Sequence, residues 1–365
     1  MPTRPPAALV RSLLAMAVFA CCAFAQPPAA NKEQVLYFEP SITAQNAQEI
    51  VIAIRTLSTG AQISFDEAQR AVTVRGTAGE IAVAGWVFHQ LEAPSGGGPP
   101  APTPASLVVP GAADDVVRVF YPANIKTPEG LQQLVIAIRT IGEIQRMMAC
   151  NGSAAVVLRG TAAQAALAEW LVNALDKLDG WKPPASQSWA AYEYQSSPPG
   201  RGGYPTAVRV FYASNTEAWP ALQEIVTATR TLTDQSRLIA YNPLGAVVLR
   251  GTPGQVALSE WLLNALDKPD DWQPPAGQNP VAYQYNDNDD VSPMGGVSFV
   301  RVFYLPTAST QQDLLALVSQ IRVAASCQRV LGAATHHVLE LRGTAAQVTT
   351  AEQLVAARYP PSPKP

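Results

Sequence analysis

The chain has 365 residues, with 25 Lys and Arg against 28 Asp and Glu and a formal net charge of −3, so it offers no broad basic surface for nucleic acid. That length exceeds what one hydrophobic core organises and points to roughly two to four domains. Of its 4 cysteines, only Cys150 and Cys327 lie beyond the first 25 residues, at unrelated positions, so no repeated disulfide framework is expected; whether those two pair is left open.

Arg4 and Arg11 precede the apolar run Ser12 to Phe24, and Ala23-Phe24-Ala25 stands before Gln26. This reads as a signal peptide over residues 1–25, which places the mature chain outside the cytoplasm, periplasmic or secreted. Lipoprotein cleavage before Cys21 is the less favoured alternative, because bulky Phe19 lies just upstream. Past residue 25 no apolar run reaches the length of about 18 residues that a membrane span needs.

Four units follow, at 34–93, 116–179, 207–269 and 298–359. Each opens with a strand ending in aromatics: Val35 to Phe38, Val117 to Tyr121, Val208 to Tyr212 and Val300 to Tyr304. A helix comes next, as at Thr127-Pro128, where threonine caps and proline takes the first turn. Its apolar stripe (Leu131, Leu134, Val135, Ile138, Ile141) requires a sheet to cover it. A second strand (Gln145 to Cys150, Arg237 to Tyr241) leads through a turn, marked at Asn151-Gly152, to a third.

The third strand opens the closest internal repeat, VVLRGTAAQAALAEWLVNALDK at 156–177 and VVLRGTPGQVALSEWLLNALDK at 247–268. Thr161 and Gln164 have the spacing of a capping box, repeated as Thr77 and Glu80, Thr252 and Gln255, and Thr344 and Gln347. Arginines stand at Arg55 and Arg75, Arg139 and Arg159, Arg230 and Arg250, and Arg322 and Arg342, with the same separation each time (75−55 = 342−322). Constant spacing within units and free variation between them mark one supersecondary unit used four times.

Between units, residues 94–115 hold the Pro/Gly run SGGGPPAPTP and are expected to be a flexible linker. The linkers 180–206 and 270–297 repeat one another: Trp181 leads to Tyr192 and Tyr194, and Trp272 to Tyr283 and Tyr285. Each Tyr-x-Tyr is expected to add a strand beside the next unit's opening strand, with mobile loops at 195–206 and 286–298.

The expected fold is therefore α+β: four tandem βαββα modules, each a three-stranded sheet with two helices on one face, the Tyr-x-Tyr linkers 180–206 and 270–297 offering an extra strand. On its opening strand, the helix ending at Arg139 and the run 156–177 closing in Leu175-Asp176, the unit resembles the small periplasmic N-terminal domains of bacterial secretins. Leu91-Glu92 in the first unit departs from that pattern, and Gln353 and Tyr359-Pro360 in the fourth depart further. No secretin channel domain follows Arg342. The resemblance implies modules that pack side by side, with self or other envelope proteins as partners and an oligomer as one outcome.

Chemistry is sparse. His89, His336 and His337 do not recur between units and lack neighbouring ligands at metal-binding spacing, so no metal or cofactor is expected. Nucleophile-elbow, Walker and dinucleotide patterns are missing. The GxxG of Gly76–Gly79 and Gly251–Gly254 joins strand to helix, unlike a KH domain. Arg75, Arg159, Arg250 and Arg342 are candidate interaction residues, the plainer expectation being strand-end ion pairs with acids such as Glu169 and Glu260. Arg139 and Arg230 are expected to serve their own helix ends. The sequence thus reads as a non-enzymatic interaction or scaffold protein, the alternative being an envelope ligand binder that uses Tyr192, Tyr194, Tyr283 and Tyr285 with Trp181 and Trp272.

Overall fold

A computed structural model describes residues 32–92, 105–111, 114–178, 180–184, 188–195, 206–216, 219–269, 272–275, 278–286, 297–306 and 310–360. The leader at 1–25 and nearly all of the two expected loops lie outside the described residues.

Module 1 consists of β1 (Lys32–Tyr37), α1 (Ala44–Leu57), β2 (Gln62–Asp66), β3 (Ala71–Gly76) and α2 (Ala78–Glu92). Module 2 sets β4 (Ala105–Val108) before β5 (Val116–Phe120), α3 (Pro128–Gly142), β6 (Arg146–Cys150), β7 (Ala155–Gly160) and α4 (Ala162–Leu175). Module 3 contains β8 (Trp189–Tyr194), β9 (Thr206–Tyr212), α5 (Trp219–Thr233), β10 (Leu238–Tyr241), β11 (Ala246–Gly251) and α6 (Pro253–Leu266). Module 4 contains β12 (Val281–Asn286), β13 (Val297–Tyr304), α7 (Gln311–Ala324), β14 (Val330–Ala333), β15 (Val338–Gly343) and α8 (Ala345–Arg358).

The sheets run β1-β3-β2, β4-β5-β7-β6, β8-β9-β11-β10 and β12-β13-β15-β14, antiparallel throughout. The Tyr-x-Tyr strands take the expected edge, with Tyr192 opposite Val208 and Tyr283 opposite Val300. Residues 105–108, inside the stretch read as a flexible linker, also form a strand, with Leu107 opposite Val117. It pairs the open edge of β5, whose ladder groups need partners.

Capping boxes start α4, α6 and α8 as their spacing requires. In module 1 only half of the box forms: the Glu80 N–H donates to Thr77 Oγ1 at 3.3 Å, while the Glu80 carboxylate turns to Arg159 of module 2. The turn at Asn151-Gly152 has four residues, not two, and Ala154 takes the left-handed conformation at φ 46°. Glycine at 152 allows a close approach instead: a Cβ there would stand 2.0 Å from Asn46 Oδ1 of α1, so that side chain would have to turn away.

That contact exposes the main feature of the fold. Each sheet packs its own two helices on one face, and in modules 2 to 4 the other face packs the helices of the preceding module. Val117, Val119, Cys150, Ala155 and Val157 join the core of module 1. Val208, Val210, Tyr212, Tyr241 and Val248 join that of module 2, and Val300, Val302, Tyr304, Ala333 and Val338 that of module 3. β7 and β11 are consequently buried along their whole length. Three such valines alone contribute on the order of 5 kcal/mol to a joint.

Candidate interaction surface

Two side chains fasten every joint. Arg159 Nη1 donates to the carbonyl of Leu57 at 2.8 Å, Arg250 Nη1 to that of Ile141 at 3.0 Å, and Arg342 Nη1 to that of Leu232 at 2.7 Å. Those carbonyls end the first helix of the preceding module, where acceptors lack helical partners and the helix dipole is negative. A carboxylate stands beside each guanidinium: Glu80 at 3.2 Å, Glu143 at 3.5 Å and Asp234 at 3.4 Å. Burial, with the charge of Arg237, lowers the Arg250 pKa from its usual value.

The second fastening is a tyrosine. The hydroxyls of Tyr121, Tyr212 and Tyr304 donate to the carbonyls of Gln90, Ala174 and Ala265 at 2.6, 3.0 and 2.8 Å. Those acceptors lie in the last turn of the preceding module's second helix, and burial pushes all three phenols up to about 12. Each sheet therefore grips the C-terminal ends of both helices of its neighbour.

The arginines thus do pair with acids, but not with Glu169 and Glu260. Glu169, Glu260 and Glu352 belong instead to Arg118, Arg209 and Arg301 of the opening strands, the latter two at 2.9 and 2.8 Å. Arg139 and Arg230 stand in the last turn of α3 and α5, at the negative end of each helix as expected, and donate at 2.6 Å to the second-strand carbonyls of Met147 and Leu238. The Leu-Asp endings hold backbone: Asp267 accepts from the N–H groups of Ser214, Asn215 and Thr216 at 2.7, 2.9 and 2.9 Å, as Asp176 does from residues 123–125.

The linker tyrosines are covered. Tyr194 and Tyr285 are buried beneath the guanidinium groups of Arg250 and Arg342, at 4.1 and 4.3 Å from their ring centres. Tyr192 packs on Trp170 and Tyr283 on Trp261, both at 5.3 Å, while Trp181 and Trp272 meet Tyr212 and Tyr304 edge-on. Cys150 and Cys327 are buried free thiols, the former pushed up to about 12 by burial. His336 sits between Thr216 and Glu224, and no group of three or more metal-ligating side chains occurs among the described residues.

Module 1 carries both fastenings with nothing between them and solvent. Tyr37, at the place of Tyr121, is 65% exposed, and neighbouring Val35 is 40% exposed. Arg75, at the place of Arg159, lies on the surface and pairs with Glu33 at 2.9 Å. Among the described residues, this is the one sheet with an uncovered outer face.

No protein-family model matches the chain, and no curated protein matches it. Among solved structures it is similar to ExeD of Aeromonas hydrophila, at 14% identity over 65% of this chain and 41% of that one, with a TM-score of 0.15. The N-terminal domain of the secretin XcpQ from Pseudomonas aeruginosa is 14% identical over 40% of this chain and 62% of that one, TM-score 0.17. The type II secretion system secretin GspD of E. coli K12 is 9% identical over 66% and 39%, TM-score 0.15. The chain resembles secretin N-terminal domains, and it spans less than two thirds of each of these structures. At such TM-scores the likeness carries no argument about function.

Proposed function

We propose that the chain is a non-catalytic, extracytoplasmic scaffold whose module 1 sheet docks the two-helix end of another module of its own kind, within an envelope or secretion assembly. One observation carries this reading: the same joint, with the same arginine and tyrosine, recurs three times, and module 1 presents both residues to solvent. The motif resemblance to secretin modules supplies the proposed setting. The leader-like N-terminus supports a periplasmic or secreted location, and no helix among the described residues is long and apolar enough to cross a membrane. Partners are then other envelope proteins or a second copy.

A photo-crosslinking side chain in place of Thr73, central on the open face, tests it. Identified adducts should be module-bearing proteins or the chain itself. Equal capture from a control position at exposed Thr349, or no capture at Thr73, refutes the reading. A second reading, a small ligand held by linker aromatics, is supported by one hollow of about 280 Å³ beside Trp170, Trp181 and Lys177. Quenching of tryptophan fluorescence by oligosaccharides, lost in Trp181→Ala, would favour it.

A further inference from the structure

The joint between modules 3 and 4 differs from the other two. It contains a cavity of about 220 Å³ that opens to solvent past exposed Thr227, walled by Glu224, Thr227 and Ala228 of α5 and by Leu331, Ala333 and Glu340 of module 4. Two changes at matching positions create it. Glu340 pairs with Leu331 where Val157 pairs with Met148 and Val248 with Ile239, so a carboxyl stands where the other joints have valine. Ala333 pairs with Val338 where Cys150 pairs with Ala155 and fully buried Tyr241 with Ala246, so the thiol of the first joint and the ring of the second are both replaced by a methyl group. This joint alone has both the smallest side chain at the one position and an acid at the other.

Glu340 is 0% exposed, and neither carboxyl oxygen has a hydrogen-bond partner among the described residues. A carboxyl so placed either stays protonated or meets a cation. Across the cavity, the Glu224 carboxylate accepts from the Thr335 N–H at 3.1 Å and lies 3.8 Å from His336 Nδ1. Thr227 gives its hydroxyl proton to the Gln223 carbonyl at 2.8 Å, which leaves its oxygen as an acceptor.

We propose that this cavity binds a small aliphatic ammonium ion, with its charge between Glu340 and Glu224 and its carbon chain against Ala228, Leu331 and Ala333. An ammonium group has three N–H donors and no acceptor, which matches Glu340, Glu224 and the Thr227 hydroxyl. A hard divalent cation needs six or more oxygen ligands, and the remaining walls are largely apolar. The site is separate from the open face of module 1 and stands whether or not that face docks a module.

The test is calorimetric titration of the full chain with n-butylammonium chloride, with sodium chloride and calcium chloride run in parallel. One ammonium ion per chain should bind, in preference to either salt. Glu340→Val restores the residue of the other joints and so should fold, and it should weaken binding at least about tenfold, the least that losing a charge-assisted hydrogen bond brings. Ala333→Tyr should do the same by refilling the space. Absence of butylammonium binding, an affinity unchanged in both variants, or saturable calcium binding lost in Glu340→Val while butylammonium is inert would each overturn the proposal.

Discussion

Replacing Arg250 by methionine keeps the aliphatic stem and removes the guanidinium, so the loss measures what that group does at the joint. In the native chain it donates to the Ile141 carbonyl at 3.0 Å and to Thr206 Oγ1 at 3.1 Å, and lies 4.1 Å from the centre of the Tyr194 ring. A charge-assisted hydrogen bond to a buried acceptor is worth about 1.5–3 kcal/mol, and a cation over an aromatic face about 0.5–2 kcal/mol. Relief of the desolvation of a buried guanidinium offsets part of this. The net expectation is a destabilisation of about 3 kcal/mol, read as a lowered urea midpoint by circular dichroism. Arg75→Met removes the same residue from the same place in the repeat, yet it should leave the midpoint at the native value because Arg75 is on the surface. Equal shifts in the two variants would refute the assignment of the arginine to the joint.

Three further outcomes follow from the same geometry. Tyr212→Phe removes only the donor to the Ala174 carbonyl and should cost about 1 kcal/mol in urea unfolding, whereas Tyr37→Phe should be silent. Asp267→Ala strips the acceptor from three backbone N–H groups, so amide exchange at 214–216 should accelerate, with a loss of about 3 kcal/mol. Glu340 is raised from 4.5 to about 8, first by burial and then by the charge of Glu224. The folded chain therefore keeps a proton that the unfolded chain has lost, and stability should fall as pH rises from about 4.5 to about 8 and then level off, by on the order of 5 kcal/mol. Glu340→Val should remove that decline in urea midpoints taken between about pH 5 and about pH 9; a native-like decline in the variant would refute its assignment to Glu340.

The modules were legible in the sequence because their signals are local. A capping threonine, a proline in the first turn and an apolar stripe fix helix starts and faces from short range, and the Tyr-x-Tyr strands lie where their alternation put them. The joints were not read, although a signal for them exists. In β3 the apolar residues alternate with Thr73 and Arg75, as in a sheet wetted on one side. In β7 and β11 the runs Ala155 to Leu158 and Ala246 to Leu249 have no polar member, the pattern of a strand buried on both faces. The arginines were matched to the wrong acids for a related reason. Glu169 and Glu260 are near in sequence, but the acceptors actually used, Leu57, Ile141 and Leu232, lie more than a hundred residues from their donors. Such pairings depend on how modules stack, which no local pattern encodes.

Because each inner sheet completes two cores, the modules are not beads on a string. They form a quasi-one-dimensional stack in which a joint is as apolar as a domain interior. The stack also has a direction, since the sheets of modules 2 to 4 each hold the helix ends of the module before them. Its two outer faces are consequently unlike. Module 4 presents exposed Gln320 where α1, α3 and α5 bury Ala53, Ala137 and Ala228, and Ser326 where Glu143 and Asp234 hold the incoming arginine. Its helix ends therefore lack the small side chain of all three inner joints and the acid that two of them use there, module 1 having Thr59 at that place and supplying Glu80 of α2 instead, whereas the module 1 sheet keeps its arginine and its tyrosine. A partner that fits module 1 should bring an alanine at the first of those helix positions and a carboxylate either at the second or at the place of Glu80. That requirement favours a module unlike module 4, and it is checked by whether Gln320→Ala with Ser326→Asp converts the chain into a head-to-tail oligomer.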